Sequence, residues 1–211
     1  MHVSEIWRYP VKSMAGERLA TTEIGPLGIA GDRIVHVENR DGRVITSRTH
    51  PQLLGFHARL NMEGEPTIEG RAWTEPGVLV SVSAIVGRGA RLVRDESENR
   101  FDVLPLLVAT DGAIEEFGHD RRRLRPNLVI GGVPGLQERT WPGRRLRIGT
   151  VLIALADLRQ RCVMTTIDPD TLKQDPRILR GIVERFGGTL ALDASVLQRG
   201  VISEGDAVDL L

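Results

Sequence analysis

The sequence predicts a mainly β protein with a few helices, of the β-rich α+β class, and three features of its 211 residues support this. Short segments rich in valine, isoleucine and threonine recur through the first ninety residues, separated by turns that contain glycine or proline. An Asp-Gly pair at 41–42 stands between two such segments, as in a tight hairpin. One longer segment near residue 180 has the apolar spacing of an amphipathic helix. Several short strands at this spacing are typical of a barrel or sandwich.

The first ninety residues are predicted to form mainly short strands. Residues 34–38 and 44–47 form a hairpin through 39-NRDGR-43, where Asp41 and Gly42 supply the positive φ angles of a tight turn. Further strands are predicted at 3–7, 18–24, 56–62, 78–83 and 90–94. The polar stretch 95-DESENR-100 then marks a boundary, so we expect one domain over residues 1–94 and a second over residues 95–211.

The second domain is predicted to mix strands with two helices. Thr110 or Asp111 caps a short helix over 112–118. Strands are predicted at 127–130, at 145–148 and at 151–156, and the last is uniformly apolar and therefore expected to be buried on both faces.

The clearest helical pattern is 176-PRILRGIVERFG-187. Asp175 suits its N-cap, Pro176 suits its first turn, and Gly187 suits its end. The spacing predicts a core-facing stripe on this helix, made of Ile178, Leu179, Ile182, Val183 and Phe186. The tail from 196 to 211 returns to strand, with a turn at 204–206.

Composition excludes several classes of partner and metal site. Twenty-eight Lys and Arg balance 28 Asp and Glu, so the overall charge predicts no nucleic-acid partner and no membrane-surface partner. A single cysteine forms no internal disulfide and holds no iron–sulfur cluster, and the five scattered histidines lack zinc-ligand spacing. No apolar run reaches the roughly 20 residues of a membrane span. We therefore expect a cytoplasmic protein.

The only cysteine, Cys162, lies in the stretch RCVMTTIDPDT at residues 161–171. A thiolate is a soft metal ligand and a strong nucleophile, and nearby Arg159 and Arg161 favour its ionised form. A lone cysteine is more often a small core residue. Here the polar neighbours, among them Asp168, favour a functional site instead.

Three further segments carry cations suited to phosphate. In 121-RRRLRPNLVI-130, four arginines precede a strand that begins near Asn127, although such a charge run is also typical of a solvated loop. In 9-YPVKSMAG-16, Lys12 and Ser13 follow the first strand on a turn. Finally, Arg33 and Arg48 flank the predicted hairpin, whose geometry brings them to the same end of the ribbon.

These segments, taken in order along the chain, resemble the MOSC proteins, which are named for the C-terminal domain of molybdenum cofactor sulfurase. The resemblance implies an N-terminal β-barrel-like domain followed by a MOSC β-barrel domain, and it implies that Cys162 ligates the metal of a molybdenum–molybdopterin cofactor. It also implies a set of residues for the pterin and its phosphate: Lys12, Ser13, Arg33, Arg48, Arg125 and Asn127. At the metal end it implies Arg161, Thr165, Thr166 and Asp168.

Within the family, the pattern looks most like the amidoxime-reducing proteins. This implies an oxidoreductase that reduces the N–O bond of N-hydroxylated small molecules. Electrons come from a separate donor protein, since the chain lacks a Gly-rich dinucleotide fingerprint. Two alternatives remain open, a carrier of persulfide sulfur on Cys162 and a cofactor-binding module without turnover. Leu172 stands where family members often have a glycine, which predicts a different loop shape beside the substrate.

Overall fold

The computed structural model describes all 211 residues and confirms a mainly β fold with three α-helices. The first hundred residues contain ten strands and one helix. The strands are β1 (His2–Arg8), β2 (Glu17–Leu19), β3 (Thr21–Gly25), β4 (Gly28–Ile29), β5 (Val35–Glu38), β6 (Val44–Ile45), β7 (Ala58–Leu60), β8 (Pro66–Ile68), β9 (Arg71–Ala72) and β10 (Arg91–Arg94). The helix is α1 (Pro76–Val86).

The remaining residues contain seven strands and two helices. The strands are β11 (Leu106–Thr110), β12 (Leu128–Gly131), β13 (Arg145–Ile148), β14 (Val151–Gln160), β15 (Thr189–Gln198), β16 (Gly200–Ser203) and β17 (Val208–Leu210). The helices are α2 (Asp111–Phe117) and α3 (Pro176–Phe186).

The largest sheet has eight strands in the order β17-β13-β14-β15-β11-β12-β1-β2. Strands β11 and β12 are parallel, and every other neighbouring pair in it is antiparallel. The N-terminal strand β1 pairs with β12, with Ile6 opposite Leu128. This pairing puts the segment that follows β1 beside the segment that precedes β12. Two of the basic segments found in the sequence therefore meet in space.

Three small sheets of three strands each complete the fold, in the orders β10-β5-β6, β16-β3-β4 and β7-β8-β9, and none of the four sheets closes on itself. One apolar core lies against the eight-stranded sheet and a second lies among β5, β8 and α1. The boundary at residue 94 stays a prediction. In the sheets, β1 pairs with β12 from the second half of the chain, and β16 from the second half pairs with β3 from the first.

Most local predictions for the hairpin and the helices are confirmed. Strands β5 and β6 form the hairpin, and Gly42 has the positive φ of 76°, although Asp41 does not share it. Thr110 caps α2 by accepting from the backbone N–H of Ala113 at 3.2 Å. Asp175 caps α3, and Gly187 ends it in the left-handed conformation.

The strand predicted at 78–83 is wrong, because these residues lie inside helix α1. Val78 and Val82 are buried and Val80 is 69% exposed. Positions 78 and 82 lie on the same face both in a strand and in a helix. Alternating valines over six residues therefore do not distinguish the two-residue period of a strand from the 3.6-residue period of a helix. Pro76 at the first turn favours the helix, and packing of Val78 and Val82 in the second core stabilises it.

Two burial predictions also need correction. The spacing predicts Val183 in the core stripe of α3, but its side chain is 56% exposed, because the face of the helix that meets the core contains only Ile178, Ile182 and Phe186. Residues 151–156 were expected to be buried on both faces, but they alternate between buried and half-buried positions, because one face of β14 meets the core and the other is only partly covered. Strand β11 was missed altogether.

Candidate functional site

A cavity of about 150 Å³ lies where the β1–β12 pairing brings the two halves of the chain together. We call it the polybasic cavity, because seven of its lining residues carry positive charge and only one, Asp102, is acidic. The seven are Lys12, Arg33, Arg48, Arg123, Arg125, Arg159 and Arg161. Cys162 also lines it. The cavity therefore combines one thiol with a strongly cationic wall.

The turn after β1 brings Lys12 and Ser13 to this wall. The backbone N–H of Lys12 donates to the carbonyl of Val35 at 2.8 Å, which ties the turn to the hairpin. The Nζ of Lys12 donates to the carbonyl of Arg100 at 2.8 Å and lies 2.8 Å from Oδ1 of Asp102. The predicted turn with a lysine and a hydroxyl is thus present and faces the cavity.

The hairpin brings Arg33 and Arg48 to the same cavity, as its geometry predicts. Arg33 pairs with Asp32, and its Nη1 lies 3.5 Å from Oδ1 of Asn127. Arg48 donates from Nη2 to Oδ2 of Asp102 at 2.7 Å. Burial lowers the pKa of Arg48, but the charges of Asp102 and Cys162 outweigh it and the net pKa is raised. Arg48 therefore lies on the cavity wall together with Asp102 and Cys162.

Asn127 lines the cavity, but its side chain forms hydrogen bonds that connect three segments of the chain. Its amide donates to the carbonyl of Trp7 at 3.2 Å and to Oδ2 of Asp32 at 3.2 Å, while its Oδ1 accepts from the backbone N–H of Leu107 at 3.1 Å. The side chain is buried. Asn127 is thus a positioning residue in this structure, and its direct contact with a cofactor stays a prediction.

Arg125 lies over the Tyr9 ring, with its guanidinium carbon 4.2 Å from the ring centroid, and it forms no salt bridge. Burial lowers the pKa of Arg125 to about 10, and burial raises the pKa of Tyr9 to about 12. A buried cation without a carboxylate is costly unless a ligand supplies the negative charge. Arg125 is therefore a strong candidate for binding an anion.

The loop after β14 presents Cys162, which is half-buried. Thr165 and Thr166 are buried and do not line the cavity. Their hydroxyls donate to the carbonyls of Cys162 at 2.9 Å and Val163 at 2.6 Å, which fixes a 3₁₀ turn directly after the cysteine. These threonines stabilise the loop that presents Cys162, and their predicted role at the metal end stays a prediction.

Asp168 also lies outside the cavity lining. Its Oδ1 accepts from the backbone N–H and the hydroxyl of Thr171 at 2.8 and 2.9 Å, and its Oδ2 accepts from Arg123 at 2.7 Å. The backbone and side-chain hydrogen bonds from Thr171 lower the pKa of Asp168. The structure thus puts Asp168 in the frame of the Cys162 loop, and its predicted role at a metal stays a prediction.

Sequence reasoning places Arg159 beside Cys162, but it assigns none of Asp102, Arg123 and Arg159 to cofactor binding. Asp102 follows the polar stretch that was interpreted only as a boundary, and Arg123 stands in a charge run typical of a surface loop. Arg159 pairs with Asp193 at 2.5 Å, two residues before Arg161. Residues two positions apart in a strand point to the same face, so Arg159 is expected to face the same cavity as Arg161. This spacing is the sequence signal that favours Arg159 as a cavity residue.

Three arginines of the cavity keep a buried Nε atom without any hydrogen-bond partner: Arg123, Arg159 and Arg161. Burial also lowers the pKa of Arg161 to about 10. Buried hydrogen-bond donors almost always have an acceptor in folded proteins. Three buried N–H groups without one around a single cavity therefore indicate that a ligand supplies the acceptors. A phosphate-bearing ligand supplies such acceptors, and the thiolate of Cys162 suits a soft metal. These residues fit an anionic, metal-bearing cofactor.

Together, the fold and the cavity define a β-rich protein with a polybasic small-molecule site that includes a single cysteine. The chain matches the MOSC N-terminal beta barrel domain over residues 1–99 and the MOSC domain over residues 110–209. It belongs to the MOSC family.

Curated relatives and one solved structure are similar over most of the chain. Mitochondrial amidoxime reducing component 2 of Homo sapiens is 26% identical over 227 residues, covering 80% of this chain and 67% of that protein. Mitochondrial amidoxime-reducing component 1 of Homo sapiens is 25% identical over 229 residues, with the same coverage. The YUAD protein of Bacillus subtilis has a TM-score of 0.55 at 12% identity, covering 99% of this chain and 94% of that chain, which shows a shared fold.

None of the three helices is both long enough and apolar enough to span a bilayer. The cytoplasmic location stays a prediction.

Proposed function

We propose that this protein binds the molybdenum cofactor in the polybasic cavity and reduces the N–O bond of N-hydroxylated small molecules. Membership in the MOSC family supports a role related to this cofactor. The similarity to two amidoxime-reducing components supports the reaction. The observation that carries the proposal is the cavity itself, where Cys162 shares a wall with seven cations and three of their buried Nε atoms lack acceptors.

Residues from both halves of the chain would hold the cofactor. Lys12, Ser13, Arg33 and Arg48 come from the proposed domain 1–94, and Arg125, Asn127, Arg161 and Cys162 come from the proposed domain 95–211. The cations bind the pterin phosphate, and Cys162 ligates the metal through its thiolate. When bound, the cofactor supplies two-electron redox chemistry at the metal, while the protein supplies binding, orientation and electrostatics.

The reaction consumes two electrons and two protons, replaces an N–OH group with N–H, and releases the oxygen as water. We assign Asp102 to substrate orientation. Burial raises its pKa, but the hydrogen bond from Lys12 and the charges of Lys12 and Arg48 outweigh burial, so the net pKa is lowered. Asp102 is thus a carboxylate at neutral pH, and it accepts a hydrogen bond from the amino group of an N-hydroxylated amidine.

The proposed reaction has two further requirements, a reduced cysteine and a source of electrons. A thiolate ligand must stay reduced, which suits a reducing compartment. The electrons come from a separate donor protein, since no strand of the chain is followed by the Gly-rich fingerprint of a dinucleotide site. Redox encounters of this kind bury a small interface and are weak.

The test is turnover of benzamidoxime to benzamidine by cofactor-loaded protein, followed by chromatography. We expect turnover with reduced methyl viologen as the electron donor and none with NADH alone. Cys162→Ser abolishes it, because serine keeps the shape but is a harder and weaker ligand. Arg40→Gln, at a side chain 81% exposed and outside the cavity, serves as the matched control and keeps parental turnover. Loaded protein that fails to turn over, or a Cys162→Ser variant with parental turnover, contradicts the proposal.

A further inference from the structure

A second and larger cavity, of about 420 Å³, adjoins the polybasic cavity. The two cavities share three lining residues, Arg123, Arg125 and Met164. Trp7 lines only the second one, which we call the Trp7 cavity. None of the residues assigned to cofactor binding lines it except Arg125. The Trp7 cavity therefore adjoins the polybasic cavity at these three residues and otherwise has its own lining.

The Trp7 cavity has a partly apolar lining. Leu54 and Ile167 lie on its walls together with Trp7 and the shared Met164. The indole Nε1 of Trp7 donates to Oε2 of Glu5 at 2.7 Å, so its one polar atom is already satisfied. A ligand therefore meets Trp7 as a broad apolar surface, which favours a flat apolar body.

The remaining lining carries positive charge that the protein does not neutralise. Arg59 and Arg125 form no salt bridge. Arg123 pairs with Asp168 at 2.7 Å, but its Nε, on a side chain only 9% exposed, has no hydrogen-bond partner. The one carboxylate of the lining, Glu17, is satisfied by Arg8 at 2.8 Å and by the backbone N–H of Leu60 at 3.0 Å.

The other two arginines of this lining are neutralised. Arg18 pairs with Glu204 at 2.6 Å, and Arg122 pairs with Asp120 and Asp170 at 2.6 and 2.7 Å. The unpaired charge that belongs to the Trp7 cavity alone is therefore that of Arg59, whereas Arg125 and the unsatisfied Nε of Arg123 lie on the wall shared with the polybasic cavity.

We propose that the Trp7 cavity binds a small organic anion with a flat apolar body, such as an aromatic carboxylate. The anionic group accepts hydrogen bonds from Arg59 and from the shared arginines, and the flat body packs on Trp7, Leu54 and Ile167. Because Arg123 and Arg125 line both cavities, a ligand bound here also contacts the wall of the cofactor site. This site goes beyond the proposed reaction and does not depend on it.

The test is isothermal titration of the purified protein with 2-naphthoate and with 2-naphthamide, which have the same shape but differ in charge. We expect naphthoate to bind at least about tenfold more tightly, since a charge-assisted hydrogen bond is worth roughly one to two decades in affinity. Arg59→Gln removes this preference. Arg40→Gln, an arginine away from both cavities, keeps it. Equal affinity for the two probes, or no binding of naphthoate at millimolar concentration, overturns the proposal.

Two further variants locate the probe. Ala15→Phe fills the Trp7 cavity and is expected to weaken naphthoate binding. Arg48→Gln changes a residue that lines only the polybasic cavity, so it is expected to leave naphthoate binding unchanged. If Arg48→Gln weakens naphthoate binding and Arg59→Gln does not, the probe sits in the cofactor cavity and the proposal fails. Circular dichroism checks that each variant is folded, and if Ala15→Phe is not, the comparison of Arg59→Gln with Arg48→Gln decides alone.

Discussion

Three residues of the polybasic cavity, Ser13, Arg33 and Arg125, have positive φ angles of 71°, 55° and 55°. Side chains with a Cβ rarely adopt this region, and each such residue costs about 1 to 3 kcal/mol where the rest of the fold imposes it. Strained residues of this kind cluster at functional sites. The sequence predicts which residue types face the cavity, but not these backbone angles, because they arise from long-range pairing.

Substitution of Arg125 separates binding from backbone strain. Arg125→Ala removes a half-buried, unpaired charge that faces the proposed phosphate, so cofactor affinity falls by roughly one to two decades. Arg125→Gly loses the same contact but relieves the strain at φ 55°, so the cofactor-free glycine variant melts at a higher temperature than the cofactor-free alanine variant. Pterin content and thermal unfolding check these two results.

The matched control for this pair is Arg40→Ala, an arginine with a side chain 81% exposed. It keeps parental pterin content. Pterin content of Arg125→Ala equal to that of the control means that Arg125 does not bind the cofactor. A glycine variant no more stable than the alanine variant means that the backbone at this position is unstrained.

At Leu172 the residue type and the backbone conformation lead to different expectations. Its side chain departs from the glycine often found in the family, and a different loop shape is the natural prediction. The structure gives Leu172 a φ of 59°, the left-handed conformation that glycine favours. Hydrogen bonds from Thr171 to Asp168, and from the Leu172 N–H to the carbonyl of Asp168, hold the turn. Leu172 thus has a backbone conformation that glycine adopts without strain, and the difference in loop shape from other family members stays a prediction.

At the scale of elements, local signals succeed where caps and turns punctuate the sequence. Helix α3 is predicted from Asp175, Pro176 and Gly187, and its bounds agree with the structure. Helix α1 lacks a side-chain cap hydrogen bond, and its valines suit a strand equally well. Packing against the second core decides its conformation, and a local pattern does not contain that information.

The packing of α2 creates a pH-dependent contribution to stability. Glu138 is fully buried, and its Oε2 accepts from the hydroxyl of Thr110, the N-cap of α2, at 3.2 Å. Its Oε1 has no partner. Burial raises the pKa of Glu138 above 4.5. In the pH range between its unfolded and folded pKa values, the folded chain binds the proton more tightly, so stability falls as pH rises.

Glu138→Gln removes this titration. The difference in melting temperature between the variant and the parent is expected to grow in favour of the variant as pH rises from about 4 to 8, and to level off once the carboxyl of the parent is ionised in both states. Thermal unfolding by circular dichroism at several pH values measures it. Glu116→Gln, which removes a half-exposed carboxyl from α2 itself, is the matched control. A difference that stays constant from pH 4 to pH 8 contradicts the account.

At the scale of the whole molecule, the cavity depends on a strand pairing between distant parts of the chain. Strand β1 lies between β12 and β2 in the eight-stranded sheet, and Val3 and Ile6 on β1 are fully buried in the main core. The separate motifs can be recognised in the sequence. Their proximity in the fold cannot be predicted from it, because the order of strands in a sheet depends on contacts between residues far apart in sequence.

Residues 95–211 alone are therefore expected not to form a stable fold. Without β1, strand β12 keeps only β11 as a partner and becomes an exposed edge, and the main core loses Val3 and Ile6. Proton NMR of this fragment should show poor dispersion, while the full chain shows a well-dispersed spectrum. A fragment that unfolds cooperatively with dispersed resonances contradicts this expectation.

The molybdenum content of the full-length protein tests the central claim most directly. Protein purified from a host that makes the cofactor is expected to contain about one molybdenum and one pterin per chain, and Cys162→Ser is expected to lose the metal while remaining folded, because a soft thiolate ligand is replaced by a harder one. Mass spectrometry of the metal and pterin fluorescence measure both. Parental protein that lacks molybdenum but carries cyanide-labile sulfur on Cys162 would contradict the account and identify a sulfur carrier instead.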